Sequence, residues 1–167
     1  MRHDYPPEAY DVNFCLKVSP ALWAALAFLC RPYVVMIMSW ANRRNRMQLI
    51  EMFYSDRSAF ALAALGAIPT LVLIIAYIQR RPSGGPSARW VWHHGRALLL
   101  TSALINMAIA LWPMLNGSFE MSNLDFAQLF VSVLITYYAL TSQRMKDTFA
   151  DFPDYVEPES EKDDDDW

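Results

Sequence analysis

Glycine, histidine and cysteine are scarce in this chain. Of its 167 residues, five are Gly, three are His and two are Cys. Cys15 and Cys30 form no Cys-x-x-Cys pair, which disfavours thiol redox chemistry. His93 and His94 are adjacent, so on a helix their side chains point about 100° apart and do not face one metal or haem. We therefore predict no cofactor and no metal site.

Charge and catalytic motifs are also sparse. Charged residues make up 19% of the chain and hydrophobic residues 54%, against about 25% and about 45–50% in soluble domains. This composition disfavours a disordered chain, a collagen and a basic nucleic-acid-binding domain. The chain lacks the P-loop, GxSxG, HExxH and GxGxxG patterns. The sequence therefore predicts no catalytic residues and no nucleic-acid partner.

Long apolar runs dominate what is present. A bilayer-spanning helix needs about 20 mostly apolar residues, and the chain has four such segments. The runs are continuous rather than alternating, which indicates helices and not a β-barrel. We predict an all-α polytopic membrane protein with four transmembrane helices in an antiparallel bundle. The predicted spans are about 21–40, 59–78, 91–112 and 124–141, within a membrane domain over 19–145 that follows an N-terminal segment, 1–18.

The C-terminal end of the chain differs sharply in charge from the rest. Residues 151–167 hold nine acidic residues and one basic residue, whereas residues 1–150 hold eight acidic and thirteen basic residues. Such a Pro-interrupted acidic stretch buries too little apolar area to offset its ordering entropy. We predict an acidic tail over 146–167 that is disordered, and a membrane-protein partner is one use for it.

Basic residues in the short loops predict the orientation of the bundle. Nine Lys and Arg residues fall in the N-terminal segment, the 79–96 loop and the C-terminus, and four fall in the remaining loops. The positive-inside rule then places both termini in the cytoplasm. Contact with membrane lipids is expected for basic residues beside the spans, namely Arg43, Arg44, Arg46, Arg80 and Arg81. The first three conflict with the orientation, because their loop lies on the other side.

Arg31 stands halfway along the first span, where reaching either surface is difficult. A central arginine costs about 2.5–3.5 kcal/mol on insertion scales, so it should face the bundle and find acceptors. Pro32 leaves the carbonyl four residues before it without its helical partner and predicts a kink. We predict a buried polar cluster around Arg31 whose members come from the third and fourth spans, with Ser102, Asn106 and Ser132 as binding residues and Thr101 and Thr136 at similar depth. A packing device and an anion or lipid-phosphate site are both compatible with it.

The first span and the residues before it carry a resemblance to a known family. The residues that carry the resemblance are Tyr10-Asp11, Leu16-Lys17, Pro20, Leu22-Trp23 and Arg31-Pro32. In these features it resembles the YfeZ-like family of small proteobacterial inner-membrane proteins, which have no assigned function. The resemblance implies a location in the bacterial inner membrane and carries over no catalytic residue.

These features leave several functions open. The absence of an acidic residue in the middle of any span disfavours a proton-coupled pump. We expect a non-catalytic accessory or assembly subunit of an inner-membrane complex. A small lipid- or solute-handling transporter that uses the Arg31 cluster is the alternative, and an intramembrane enzyme is the third reading. Homo-oligomerisation through small residues of the second span is a further option.

Overall fold

The fold is taken from a computed structural model. It describes residues 5–11, 15–42, 50, 53–54, 57–82, 84–115 and 123–153. The basic residues Arg43, Arg44 and Arg46 therefore lie outside the described residues, as does the acidic stretch after Pro153.

The regular secondary structure of the described residues is helical, and an isolated bridge pairs Tyr10 with Leu16. A single 3-10 turn covers Pro7–Ala9. The α-helices, in chain order, are α1 Pro20–Leu29, α2 Arg31–Ala41, α3 Arg57–Gly66, α4 Ile68–Ile78, α5 Pro86–His93, α6 Gly95–Leu115, α7 Asn123–Thr141 and α8 Gln143–Ala150.

Three helical stretches are long and apolar enough to cross a membrane, or four if a bent pair counts as one span. The three are Arg57–Ile78, Gly95–Trp112 and Asn123–Thr141. The bent pair is α1 with α2, which meet at 57° around Cys30. Pro32 is the second residue of α2, and a proline there has no N–H to continue the hydrogen bonding of α1. The kink predicted from Pro32 is therefore present.

The second span is interrupted at Ala67, between α3 and α4. Pro69 is the second residue of α4, so the break has the same cause as the bend at Cys30. Ser102 of α6 donates its hydroxyl to the Gly66 carbonyl over 3.0 Å at this point. A backbone acceptor beside the break is thus satisfied inside the bundle, where water is absent.

The third span begins later than the sequence predicts. Residues 91–93, assigned to it, belong to the separate helix α5, and α6 begins at Gly95. A Cβ on Gly95 would collide with the side chains of Phe149 and Leu73. Close packing at Gly95 and the turn at His94 set α5 apart from the span. The periodicity of the apolar residues does not carry this information.

The helix α6 lies at the centre of the bundle. It packs against α1, α3, α4, α5, α7 and α8, and its most extensive partner is α7. Leu99 and Ala103 of α6 are fully buried. Two small residues of the second span, Ala63 and Ala67, are buried inside the bundle as well.

The N-terminal segment, the α4–α5 connection and the α8 region meet at one end of the bundle, and we call this assembly the terminal cap (residues 5–11, 15–18, 79–82, 84–94 and 143–153). Arg80 donates to the carbonyls of Leu16 and Asp151, each over 3.0 Å. Trp92 donates its indole N–H to the carbonyls of Thr148 and Asp151. One arginine and one tryptophan therefore join all three segments.

The structure describes the first residues of the segment predicted as an acidic tail, 146–153. Residues 146–150 are part of α8, and Met145, Phe149 and Phe152 belong to the main apolar core. The free energy gained by burying these three side chains in the terminal cap outweighs the preference of the neighbouring charged residues for water. The described residues 146–153 are therefore packed against the bundle and not disordered.

Candidate functional site

Arg31 is the first residue of α2 and is held at the bend after α1. Its Nη2 donates to Oδ1 of Asn106 over 3.1 Å, and its Nε donates to the Tyr54 hydroxyl over 3.4 Å. Asn106 comes from α6, and Tyr54 precedes α3. The guanidinium thus links three parts of the chain inside the bundle.

Aromatic rings complete the surroundings of this guanidinium. Its Cζ lies 4.7 Å from the centre of the Phe28 ring and 6.0 Å from the centre of the Tyr54 ring, within the range of cation–π attraction. Every partner of Arg31 in the described part of the chain is neutral, because its contacts are Asn106, Tyr54 and Phe28. Among the residues that the structure describes, dipoles and aromatic rings therefore stabilise its positive charge.

Gln128 extends the cluster onto α7. Its Nε2 donates to the same Asn106 Oδ1 over 2.6 Å, so this oxygen accepts hydrogen bonds from two side chains. We call Arg31, Tyr54, Asn106 and Gln128 the Arg31 cluster. Sequence reasoning missed Tyr54 and Gln128. A glutamine five residues inside an apolar span was the available signal for Gln128.

The other predicted members of the cluster bond elsewhere. Ser102 donates to the Gly66 carbonyl, and Ser132 donates to the carbonyl of Gln128, one turn before it. Thr101 is exposed and donates to Ala97, and Thr136 donates to the Ser132 carbonyl. These hydroxyls satisfy helix carbonyls, so the structure brings Arg31 together with Asn106 but with neither predicted serine.

The Arg31 cluster lies near the middle of the bundle. Asn106 follows the start of α6 at Gly95 by eleven residues and precedes its end at Leu115 by nine. At 1.5 Å per residue these positions are about 16 Å and about 14 Å along the helix. The two distances are close to half of a hydrocarbon core about 30 Å thick.

An apolar cavity of about 490 Å³ adjoins the Arg31 cluster. Tyr54 and Gln128 belong both to the cluster and to the cavity wall. The rest of the wall is largely apolar and comes from Phe53, α3 and α6. Its lining includes Phe53, Ala59, Leu62, Ile105, Ala108, Ile109, Ala110 and Trp112. The cavity therefore has apolar sides and a polar region where it meets the cluster.

The cavity is at the end of the bundle opposite the terminal cap. Phe53, Leu62 and Trp112 line it and are also exposed, whereas the cap surrounds Trp92 and Phe149 at the other end of α6. Asp125 lines the cavity too, in the first turn of α7. A carboxylate is favourable there because it faces the positive end of the helix dipole, and Asp125 has a partner of its own.

The interface arginines that the structure describes behave differently from each other. Arg81 is exposed, as expected of a residue that contacts lipid phosphate. Arg80 is half-buried, stacks 4.9 Å above the Trp92 ring and holds the terminal cap. Beside Arg80 and Arg81 is a second cavity, of about 310 Å³, lined also by Asp11, Cys15 and Tyr77. The cap explains the contacts of Arg80 without a ligand.

The chemistry available at the Arg31 cluster is that of binding. A guanidinium, two amides and a phenol donate and accept hydrogen bonds, and the wall beside them receives apolar chains. Within the described ranges, no three His, Cys, Asp or Glu side chains are placed to hold a metal ion.

Comparisons with known proteins agree with this picture. A relative from Escherichia coli (strain K12), named "Inner membrane protein YfeZ", is 23% identical over 146 residues, which cover 87% of this chain and 94% of that protein. No solved structure matches. The family profile described as "Protein of unknown function (DUF2919)" matches residues 5–151 and so includes the terminal cap up to Asp151. The resemblance seen in the first span is confirmed, and the chain belongs to the family DUF2919.

Proposed function

We propose that this chain is a non-catalytic inner-membrane protein that binds a lipid in the cavity beside the Arg31 cluster. The observation that carries the proposal is the direct contact of an apolar cavity with a polar cluster at mid-bundle depth. An amphiphile matches both surfaces, because its chain buries apolar area and its polar end accepts hydrogen bonds.

The inner-membrane location is supported by the name of the Escherichia coli relative and by the apolar helices. The terminal cap supports the proposed orientation. It gathers the N-terminal segment, the loop before α6 and the C-terminal helix at one end. Six of the nine basic residues counted for the cytoplasmic side lie in it, namely Lys17, Arg80, Arg81, Arg89, Arg144 and Lys146. With both termini in the cytoplasm, the cavity faces the outer half of the bilayer.

The volume of the cavity suits part of a lipid and not a whole one. Small-molecule sites measure about 300–1,000 Å³, and this cavity of about 490 Å³ falls in that range. Its mouth is lined by exposed apolar residues, Phe53, Leu62 and Trp112. The remaining length of an acyl chain would lie along these residues and stay in the bilayer.

The test is photo-crosslinking of the purified full-length protein in nanodiscs with a lipid that carries a diazirine on its acyl chain. In wild type we expect crosslinked peptides from the cavity wall on α3 and α6. Ala59→Trp places a large ring in the wall and should reduce this crosslinking several-fold. The matched control is Ala61→Trp, which makes the same change on the exposed side of the same helix.

Comparison of the two variants distinguishes lipid bound in the cavity from lipid that only contacts the outer surface of the bundle. Equal crosslinking of α3 and α6 in wild type, Ala59→Trp and Ala61→Trp would show that the lipid reaches only the outer surface. That result would reject the proposed function.

A second candidate is an accessory or assembly subunit of a membrane complex, and the terminal cap favours it. Phe149 and Phe152 pack in the apolar core, so Pro153, which the acidic stretch follows in the sequence, belongs to the cap. The next fourteen residues contain eight acidic residues and one basic residue, a charge that suits a basic partner. Deletion of 154–167 should release co-purifying proteins without changing the crosslinking of lipid, and retention of the same proteins would reject this role.

A further inference from the structure

We infer that the cavity of about 310 Å³ in the terminal cap binds the headgroup of an anionic phospholipid, whose phosphate contacts Arg81. This site lies at the other end of the bundle from the cavity beside the Arg31 cluster and does not rest on the proposed function. The observation that carries it is a cavity lined by two adjacent arginines that directly follow the end of an apolar span.

The cavity lies where lipid headgroups are expected. Tyr77 and Ile78 line it, and they are the last two residues of the span Arg57–Ile78. The rings of Trp23 and Tyr77 meet edge to face with their centres 5.1 Å apart, and both residue types favour the membrane–water interface. Ile78 is exposed and can contact an acyl chain. A phosphate beside the following arginines would then be at its normal depth.

Arg80 places a fixed positive charge in the wall of this cavity. Its Nη1 and Nη2 donate to the backbone carbonyls of Leu16 and Asp151, and its Cζ lies 4.9 Å from the centre of the Trp92 ring. These partners are uncharged groups, so they orient the guanidinium without neutralising it. Its Nε is fully buried and has no hydrogen-bond partner in the described part of the chain. Such a donor calls for an acceptor that those residues do not supply.

Arg81 is held by its backbone, which leaves its side chain for a ligand. Its N–H donates to the Gln79 carbonyl and its carbonyl accepts from the Gly84 N–H, each over 2.8 Å. Gly84 permits this turn, because a Cβ there would lie 2.5 Å from the Gln79 carbonyl oxygen and 2.9 Å from that of Arg81. The Arg81 side chain is exposed, and its planar guanidinium can donate two parallel hydrogen bonds to a phosphate.

The acidic residues of this region leave the cavity wall positive. Among the described lining residues, Asp11 is the acidic residue and stands against Arg80 and Arg81, so the lining has a net charge of +1. The Asp151 side chain is outside the lining, and its Oδ2 accepts the Leu16 N–H over 2.8 Å. This balance favours a headgroup with net negative charge over a zwitterionic one.

The acidic stretch that follows Pro153 in the sequence is a competing occupant, because Pro153 also lines the cavity. The wall favours the lipid. Tyr77 and Ile78 give it an apolar side at the end of a span, which suits the first carbons of an acyl chain and not a run of carboxylates. The volume of about 310 Å³ is that of a small site and suits a headgroup.

The experiment uses the full-length protein in phosphatidylcholine nanodiscs with a phosphatidylglycerol that carries a diazirine in its headgroup. In wild type we expect crosslinks in the peptide that contains residues 77–81. Replacing part of the phosphatidylcholine by unlabelled phosphatidylglycerol with identical chains should suppress them about fivefold or more, since one arginine near an anionic membrane surface contributes about 1 kcal/mol, or about fivefold in affinity. Inorganic phosphate should leave them unchanged, because it has no chain to lie on Ile78.

The variants distinguish the cavity from general attraction of anionic lipid to a basic surface. Arg81→Gln should lower the crosslinking about fivefold. The double variant Gln79→Arg with Arg81→Gln keeps the charge of this surface but moves it to an exposed position outside the lining, and it should lose as much. The matched control is Arg57→Gln, which removes an exposed arginine at the other end of the same span and should behave as wild type.

Four results would overturn the inference. They are no suppression by phosphatidylglycerol in wild type, full crosslinking in Arg81→Gln or in the double variant, an equal loss in Arg57→Gln, and crosslinks at 77–81 that appear only after deletion of 154–167. The last result would show that the acidic stretch occupies the cavity. The proposed function is tested separately, because the two cavities share none of their described lining residues.

Discussion

Arg31 and Asn106 are 75 positions apart in the sequence, and the Arg31 guanidinium donates to the Asn106 side-chain oxygen over 3.1 Å. Gln128 donates to the same oxygen. A single amide oxygen of α6 therefore joins the bend between α1 and α2 to α7. The Arg31 cluster is therefore joined through one acceptor.

Asn106→Leu should destabilise the protein, because it leaves two side-chain donors without their acceptor. We expect the free energy of unfolding to fall by about 1–3 kcal/mol, the cost of unsatisfied buried polar groups. Thermal unfolding in detergent would measure it. In the double variant Arg31→Met with Asn106→Leu, the loss should be smaller than the sum of the single losses. Additive losses would show that the two side chains are not coupled.

Gly66 permits the close approach of α3 to α6. A Cβ at this position would lie 2.5 Å from Cγ2 of Ile105, so Gly66→Ala should cost about 1–3 kcal/mol by overpacking. Ile105→Ala removes that methyl group and should relieve much of the penalty in the double variant. Gly85→Ala is the control, since its nearest neighbour would be Ser87 Oγ at 3.8 Å. Equal melting temperatures for Gly66→Ala and Gly85→Ala would contradict the packing described.

Arg80→Ala should loosen the terminal cap. The change removes the hydrogen bonds to Leu16 and Asp151 and the stacking on Trp92. Amide hydrogen exchange over residues 143–153 should therefore become faster, while exchange in the middle of α6 stays slow. The matched control is Arg81→Ala, which removes the adjacent, exposed arginine. Unchanged exchange over 143–153 in Arg80→Ala would mean that other contacts hold the cap.

The contact between Tyr5 and Asp147 should make the terminal cap sensitive to alkali. The Tyr5 hydroxyl donates to Asp147 Oδ2 over 2.8 Å, and this hydrogen bond is the main reason that the pKa of Tyr5 is raised. A raised pKa in the folded state contributes stability below about pH 10, which is lost as the pH rises through the folded value. Unfolding of wild type and Tyr5→Phe should therefore differ at about pH 8 and converge at high pH. A difference that persists at high pH would contradict the assignment.

The membrane helices and the bend could be predicted from the sequence because both depend on local signals. Continuous apolar runs predict the spans, and Pro32 predicts the break that the structure has at Cys30. Arg31 and Asn106 were expected to meet because they share a depth. The partners of Ser102 and Ser132 could not be predicted, since a hydroxyl bonds equally well to a side chain or to a helix carbonyl.

The terminal cap was missed because composition hides it. In the C-terminal segment of the cap, residues 146–153, acidic residues surround the apolar side chains, so the sequence analysis assigned this segment to the tail. The signal was present, however, in the spacing of Met145, Thr148, Phe149 and Phe152, which places one buried face on a helix. The contact of Tyr54 with Arg31 had no such signal, because it depends on how the chain returns to the bundle after α2.

The distance in sequence between Arg31 and Asn106 also has a consequence for biogenesis. The guanidinium is synthesised and inserted long before α6, which supplies its acceptor and most of the core packing. Until that helix arrives, the nascent chain holds the Arg31 cation among lipid tails without the Asn106 acceptor. Assembly intermediates arrested before residue 106 are thus the forms that membrane quality-control proteases should recognise and remove.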